Sequence, residues 1–312
     1  MSFLVSAAAG LAAAGAPRQT AAQVLAGLRL PPDWLEATPV NWDTNQPWKE
    51  ARLEIRRLLA LDEAHVRQGV KLTWLYARKG DIGDGHELPM YLFMSGNYDW
   101  ALKEYPGHLR AQEGKGPTHA YLCYASCLAH FGDFEAALAI LNKALADLPP
   151  KPWRIASQAN IENQLGDLYG RMGQTDQARA HYAEATRLYG LSDQPYGRHL
   201  LPRKAAQVQA KLRLMAMGSL ASAQLKDGVH RGSAIGYADK AEIVVTLEIR
   251  NGRFARLDVQ HQEKIELGAT KILPQRILEK QSLQVDGVTG ATITCQGIVE
   301  ATYRALLNAG LR

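Results

Sequence analysis

Three stretches in the N-terminal two thirds of the chain repeat one spacing of small and larger residues. They are SGNYDWALKEY from Ser95, FGDFEAALAIL from Phe131 and MGQTDQARAHY from Met172, and they align without gaps. In each, a glycine is followed five residues later by alanine and nine residues later by a larger side chain, two positions that share one face of a helix. The glycines lie at positions 96, 132 and 173, which are 36 and 41 residues apart. The pattern predicts a stack of helix-turn-helix units.

The third unit carries the fullest pattern. It extends backwards to Leu165, Gly166 and Tyr169 and forwards to Ala185. These residues resemble the tetratricopeptide repeat (TPR) family, in which small residues let the two helices of a unit approach closely. The resemblance implies a concave surface that docks a protein or peptide, and the alternative is a structural support for the rest of the chain. The residues that helical position places on this surface are Asn160, Asn163 and Arg187.

Neighbouring segments extend the predicted stack. Amphipathic helices over 48–60 and 63–78 would cap its start, whereas Pro89 would interrupt the leading helix of the first unit. A helix is predicted over 202–225, with its proline well placed in the first turn, and would link the repeats to the remaining chain.

The hydrophobic period changes from helical to alternating after Lys226. Residues 242–250 and 253–260 alternate in polarity and flank Asn251-Gly252, which supplies the two positive-φ residues of a tight turn, so a hairpin is predicted. The other predicted elements are a Gly-rich strand within 227–237, a helix over 269–280 and a closing helix that ends at Leu307. Together they indicate an α+β domain with a small antiparallel sheet and helices on one side.

The chain is therefore predicted to be multidomain, with an all-α helical repeat (TPR-like) domain followed by a small α+β domain. The first sixteen residues, MSFLVSAAAGLAAAGA, are apolar like the core of a signal peptide but lack a positively charged start, and a frayed Ala-rich helix is the alternative. The expected divisions are a signal peptide or flexible N-terminus at 1–25, repeats at 30–200, a linker helix at 201–225 and the α+β domain at 226–312.

One motif in the second domain carries candidate chemistry. Asp286, Thr289, Gly290, Ala291 and Thr292 match Asp-x-x-(Ser/Thr)-Gly-Ala-Thr. The small residues leave backbone N–H groups open to an anion, and the helix predicted to follow would direct its positive dipole end there. Taken alone, the motif also fits an ordinary capped helix start.

In its order of Gly-rich strand, hairpin, helix and motif, the segment 226–310 resembles the FMN-binding domain family. That family occurs in periplasmic subunits of the sodium-pumping NADH:quinone oxidoreductase and of the Rnf complex. The resemblance implies that the cofactor is FMN and that a separate flavin transferase attaches it to Thr292 through a phosphoester bond. We expect Asp286 to serve recognition by the transferase, while Thr294 and Ser282 offer hydroxyls for hydrogen bonds to the phosphate.

Other residues of this segment have two interpretations each. His261 and Glu263 stand where the family often has a His-x-Glu segment, which implies that they line the edge of the isoalloxazine ring; a solvated loop is the alternative. Tyr237 is predicted to cover one face of the flavin or to pack on the sheet. Cys295 replaces a serine or threonine found in many members and is either a small packing residue or a hydrogen-bonding substitute.

Composition excludes several classes of protein. The net charge of +5 arises from 36 basic and 31 acidic residues without a basic block, which argues against a nucleic-acid partner. The cysteines, at positions 123, 127 and 295, are too few for a disulfide scaffold and lack the spacing of a zinc site, so no metal is expected. The sequence contains no uninterrupted run of eighteen apolar residues, so no transmembrane helix is predicted.

These observations favour an electron carrier. The chain lacks a nicotinamide-binding fingerprint and a P-loop, and a flavin without its own substrate site is typical of electron-transfer modules. We expect an extracytoplasmic, periplasmic flavoprotein whose repeats dock a redox protein or membrane electron-transfer complex. The alternatives are a flavin-dependent reductase with a small-molecule acceptor and a TPR scaffold whose second domain has lost its flavin.

Overall fold

The computed structural model describes residues 19–59, 61–216, 224–238, 241–263, 268–285, 287–288 and 291–311. In these ranges a helical N-terminal region is followed by a three-stranded antiparallel sheet with helices, which confirms the predicted fold class. Within the same ranges, no helix combines the length and hydrophobicity needed to span a membrane. Most of the predicted N-terminal segment, residues 1–18, lies outside the described residues.

The three predicted repeat units are three helix pairs. The pairs are α5 (Glu87–Met94) with α6 (Tyr98–Ala111), α7 (Thr118–His130) with α8 (Phe134–Ala146), and α9 (Arg154–Arg171) with α10 (Thr175–Leu191). Gly96, Gly132 and Gly173 lie between the helices of their pairs with φ of +80°, +79° and +75°. The alanines that follow each glycine at the repeated spacing are fully buried. The repeated spacing therefore marks one turn and one contact face in every unit.

The third unit also confirms the expected close approach of its helices. A Cβ atom at Gly166 of α9 would lie 2.5 Å from the ring of Tyr182 on α10. The Tyr182 hydroxyl donates a hydrogen bond of 2.7 Å to Asp167, so the ring is fixed against α9. Burial raises the pKa of Tyr182, and the nearby Asp167 carboxylate adds to this effect.

From residue 19 onward, the described helices that precede the repeats are α1 (Ala21–Gly27), α2 (Asp33–Ala37), α3 (Trp48–Leu59) and α4 (Glu63–Lys79). The last two confirm the predicted amphipathic helices. The expectation that Pro89 interrupts the leading helix of the first unit is wrong, because Pro89 lies in the first turn of α5. A proline is tolerated there, since the first turn leaves its N–H positions without helical partners.

Helix α11 (Leu201–Ala216) follows a short 3-10 helix, Arg198–Leu200, and adds a further layer to the stack. Its Leu201 and Val208 belong to the same buried core as α9 and α10. The prediction of a helix as far as Leu225 is too long, because residues 224–226 are not helical. Here the N–H of Lys226 donates to the carbonyl of Ala309, 2.9 Å away, and so does not take part in a helix.

The sheet consists of β1 (Gly228–Ile235), β2 (Glu242–Arg250) and β3 (Arg253–Gln260), antiparallel in that order. The predicted hairpin turn is confirmed, with φ of 52° at Asn251 and 70° at Gly252. Asp227 accepts the N–H groups of both turn residues, at 2.8 and 2.9 Å. These two hydrogen bonds lower the pKa of the Asp227 carboxyl.

Two helices cover one face of the sheet, as predicted. Helix α12 (Ala269–Lys280) packs on β3, and α13 (Thr292–Asn308) packs on β1 and β2. The alternate residues of β2 that face these helices, from Ile243 to Ile249, are fully buried. The core of the domain therefore lies between the sheet and α13.

The two regions meet where α11 contacts α13. Glu300 of α13 is buried and pairs with Arg304 at 2.7 Å, one turn along the same helix. Arg213 of α11 approaches the same carboxylate at 3.9 Å. The last helix of the stack thus touches the helix that carries the sequence motif at its start.

Candidate functional site

The sequence motif lies where helix α13 begins. Ala291 is the N-cap residue and Thr292 the first residue of the helix. Among the described side chains none caps this end, and the first turn holds no acidic residue. Within the described part of the chain, the first N–H groups and the positive end of the helix dipole therefore have no side-chain acceptor. Asp286, Thr289, Gly290 and the side chain of Thr292 lie outside the described residues, so their roles stay predictions.

Glycines fix the depth at which α13 packs on the sheet. A Cβ atom at Gly232 of β1 would lie 2.5 Å from the backbone nitrogen of Ala305 and closer still to the carbonyl of Ala301. A Cβ at Gly297, in the second turn of α13, would lie 2.9 Å from Ile243 Cδ1. The helix therefore rests almost directly on the strand backbone, which sets the position of its N-terminus.

The carboxylate of Glu263 joins three chain segments at this end of the domain. Its Oε2 accepts the N–H of Tyr237 at 2.8 Å, and its Oε1 accepts the N–H of Ala238 at 2.9 Å. The hydroxyl of Thr294, in the first turn of α13, also donates to Oε2. Both Glu263 and Thr294 are buried. The segments after β1 and β3 are thereby linked to the start of α13.

The backbone beside Glu263 is shaped to admit the carboxylate. A Cβ atom at Gly236 would collide with Oε1 of Glu263 and would lie 2.6 Å from Ile243 Cδ1. Only a residue without a side chain fits at this position without displacing one of them.

The predicted flavin-contacting residues are placed differently from one another. Tyr237 is 56% exposed, and His261 is exposed, with its Nδ1 accepting the N–H of Glu263 at 3.2 Å. Both lie beside the start of α13 because Glu263 holds their segments there. Ser282 follows α12, where its Oγ accepts the N–H of Gln284 at 3.0 Å, and no described contact links it to α13.

The segment that leads into α13 is held by side chains of both helices. Cys295 is buried, and its Sγ accepts the N–H of Val288 at 3.2 Å, so it packs and also makes a hydrogen bond. Arg276 of α12 donates to the carbonyl of Gly287 at 2.9 Å. These contacts bring the described part of the segment against the helix start.

A second candidate site is a groove between α7 and α9 of the stack. Asn160, Asn163 and Asp167 of α9 line it opposite Leu122 and Ser126 of α7. Both asparagines predicted for the concave surface therefore line this groove. Arg187, by contrast, lies on α10, where it is exposed and paired with Glu184 at 2.6 Å, and it does not line the groove.

Two lysines of α11 reach the α9 wall of this groove. Lys204 Nζ donates to Asn160 Oδ1 at 2.9 Å, and Lys211 Nζ lies 2.6 Å from Asp167 Oδ1. Burial lowers the pKa of Lys204. The two ammonium groups therefore hold in place the polar ends of Asn160 and Asp167, which line the groove.

A histidine cluster lies elsewhere in the stack. The ring of His86 lies 5.3 Å from that of His108 and 5.2 Å from that of His119, centroid to centroid. Burial lowers the pKa of His86 to about 4, and the charges of His119 and His108 add to this effect. In contrast, Cys123, whose Sγ is 3.3 Å from Nδ1 of His119, raises the pKa of His119. Over the described ranges, no group of His, Cys, Asp or Glu is arranged to hold a metal ion.

Comparison with known families agrees with both halves of the molecule. Residues 236–307 match the family model of the FMN-binding domain. Residues 163–190, from α9 into α10, match the model of the tetratricopeptide repeat. No solved structure matches the chain. The chain therefore contains a domain of the FMN-binding family, fused to a TPR-like helical region, and repeats of this kind indicate protein–protein interaction in general.

Proposed function

We propose that the chain is an extracytoplasmic flavoprotein that carries FMN on Thr292 and exchanges electrons with a redox partner docked on the repeat stack. The observation that carries the proposal is the match of residues 236–307 to the FMN-binding domain. This range includes the complete sequence motif, which lies at a helix start that no described side chain caps. Bound FMN supplies one- and two-electron chemistry.

The residues at the start of α13 fit an FMN phosphate. Ala291 at the N-cap has no side-chain acceptor, and no other described side chain accepts the first N–H groups, which could therefore bind phosphate oxygens. The methyl side chain of Ala291 adds little bulk at this position. Tyr237 is exposed beside this end and offers an aromatic surface to the ring system.

Attachment would use the hydroxyl of Thr292. Its oxygen forms a bond to the flavin phosphorus, while the bond from that phosphorus to the leaving group of an activated flavin donor breaks. The hydroxyl proton passes to a base of the transferase, and no electrons are exchanged. An extracytoplasmic site of attachment is in keeping with the apolar, Ala-rich residues 1–16.

Flavin retention through denaturation tests the proposal. Protein produced with a flavin transferase should keep a yellow, fluorescent FMN on a denaturing gel, and Thr292→Ala should abolish the signal while Thr292→Ser keeps it. Thr246→Ala, on the sheet away from α13, is the matched control and should stay fluorescent. Colourless wild-type protein would support a scaffold, and fluorescence in Thr292→Ala would assign attachment elsewhere.

The groove between α7 and α9 is the proposed docking surface for the redox partner. Asn163→Ala should slow electron exchange with the partner while leaving reduction by dithionite unchanged, because Lys211 keeps Asp167 as its partner. Arg187→Ala, on the outer helix α10, is the control and should exchange electrons normally. If both variants exchange electrons with the partner at the same rate, the groove is not the docking surface and the repeats serve as structural support. Turnover of a small acceptor by the reduced protein alone would favour a reductase.

A further inference from the structure

Glu263 is a buried carboxylate whose described partners are neutral. It accepts two backbone N–H groups, of Tyr237 and Ala238, and one hydroxyl, of Thr294. Burying a charge is costly unless hydrogen bonds replace its lost water, and three donors to one carboxylate do so. The arrangement indicates that this position requires a side chain with two acceptor oxygens.

Glu263 and its three donors belong to segments that are distant in sequence and converge at this carboxylate. Tyr237 and Ala238 follow β1, Glu263 itself follows β3, and Thr294 lies two residues after Thr292 in α13. His261 Nδ1 accepts the N–H of Glu263 and so fixes the backbone from which the carboxylate extends. One side chain therefore sets the distance between the exposed aromatic residue and the helix start.

The fold around Glu263 leaves little freedom for another arrangement. A side chain at Gly236 would displace the carboxylate, and a Cβ at Gly297 would lie 3.2 Å from the Cα of Gly236. The carboxylate thus fills the space where the end of β1 crosses the second turn of α13. A change at Glu263 would be transmitted to the start of α13 through Thr294.

We propose that Glu263 is a positioning residue for flavin attachment. It points inward to the protein, and it holds the start of α13 and the Tyr237 segment in the geometry that the transferase must meet. The inference rests on the proposed function, since it assigns Glu263 a part in loading FMN at Thr292.

Glu263→Gln is the first test because it keeps the size of the side chain. An amide has one acceptor oxygen, so its NH₂ group would face Tyr237 N–H or Ala238 N–H, donor against donor. With purified transferase we expect the maximal rate of FMN incorporation to fall on the order of tenfold, the equivalent of one hydrogen bond to a charged group. The KM for the apoprotein should stay unchanged. Glu279→Gln on the exposed side of α12 is the control and should load at the wild-type rate.

A second pair of variants serves if Glu263→Gln does not fold. Thr294→Ser keeps the hydroxyl and should load like wild type, whereas Thr294→Val keeps the shape but loses the donor and should load several-fold more slowly. In the flavin-free protein, NMR should show the amide protons of Tyr237 and Ala238 shifted in Glu263→Gln and unshifted in Glu279→Gln.

The outcomes separate the inference from the proposed function. Wild-type protein that takes up no FMN would overturn the proposed function itself. Wild-type loading with equal maximal rates in Glu263→Gln, or in Thr294→Val and Thr294→Ser, would overturn the positioning role alone. A rise in KM without a change in maximal rate would also overturn it, because that result indicates only a smaller fraction of folded protein.

Discussion

Glycine has opposite uses in the two halves of the molecule. In the repeat stack, Gly96, Gly132 and Gly173 have φ near +80°, and nothing lies within 4 Å of the Cβ position that each lacks. They are present for their backbone conformation, which other residues adopt at a cost. Each one ends the first helix of its pair and lets the second begin.

In the C-terminal domain, Gly232, Gly236 and Gly297 are present for space. None of them has positive φ, but an added Cβ would clash with backbone, with a buried carboxylate or with Ile243. Gly166 of the stack belongs to this second kind, since it lies under the ring of Tyr182. The difference teaches that the repeats depend on local turns, whereas the flavin-binding fold depends on the close approach of distant segments.

The largest effect is expected at Gly232, which tests the steric half of the comparison. Gly232→Ala should destabilise the C-terminal domain by more than about 3 kcal/mol, because α13 must move away from β1 against a backbone that cannot yield. All tryptophans lie at or before position 153, so their fluorescence reports only on the stack. Urea unfolding should therefore show an unchanged fluorescence transition and an earlier transition by circular dichroism.

Ser233→Ala, the next residue on the same strand, is the control for this experiment and should leave both transitions in place. If Gly232→Ala unfolds at the wild-type urea concentration, the close approach of α13 to β1 is not a source of stability.

Lowering the pH should affect the stability of the repeat stack and of the C-terminal domain over different pH ranges. Because the pKa of His86 is lowered to about 4 in the folded stack, the unfolded chain binds the proton first, with its ordinary value of 6.5. The contribution of His86 to the free energy of unfolding is therefore fully present above pH 6.5 and is lost as the pH falls toward 4. At pH 5 the loss is about 2 kcal/mol. In the C-terminal domain Asp227 has a lowered pKa, so its contribution is lost only at lower pH, as the carboxyl protonates.

Urea midpoints followed by tryptophan fluorescence at pH 7.5 and pH 5 measure this effect. The midpoint of the wild-type protein should fall between the two conditions, and that of His86→Gln should fall less. The pKa of His119 is raised, so its effect on stability has the opposite sign. It is present in both proteins and cancels when the midpoint shift of the variant is subtracted from that of the wild type. An identical fall in both proteins would show that His86 does not govern the acid sensitivity.

The elements that the sequence predicted correctly are those set by local backbone requirements. The glycines repeated at 96, 132 and 173 indicate helix pairs because each needs a left-handed turn at the same place in its unit. Asn251-Gly252 identifies the hairpin for the same reason. Such signals lie within a few residues of the structure that they specify, so one sequence is enough to recognise them.

The features that the sequence did not predict depend on partners far along the chain. Gly232 contacts residues about seventy positions away, and nothing near it indicates a helix above it. The hydrogen bonds of Glu263 were not predicted, because a loop segment gives no sign that two N–H groups and a hydroxyl converge on one carboxylate. Its place at the edge of the flavin ring stays a prediction. The predicted helix as far as Leu225 was too long, because the N–H of Lys226 pairs with Ala309, which is distant in sequence.

The smallest effect is expected at Gly132, which tests the conformational half of the comparison. Gly132→Ala should destabilise the stack by about 1 kcal/mol, because an L-residue is strained at a φ of +79° although no neighbour opposes its Cβ. Gly190→Ala is the matched control: it lies inside α10 without positive φ and also without a neighbour within 4 Å. There alanine should stabilise by up to about 1 kcal/mol, since it is the better helix former. The same substitution in the same stack would then shift the tryptophan-detected urea midpoint in opposite directions. Both sites are exposed, and alanine restricts the unfolded chain equally at both. Equal shifts would therefore contradict the inference that Gly132 is present for its backbone conformation.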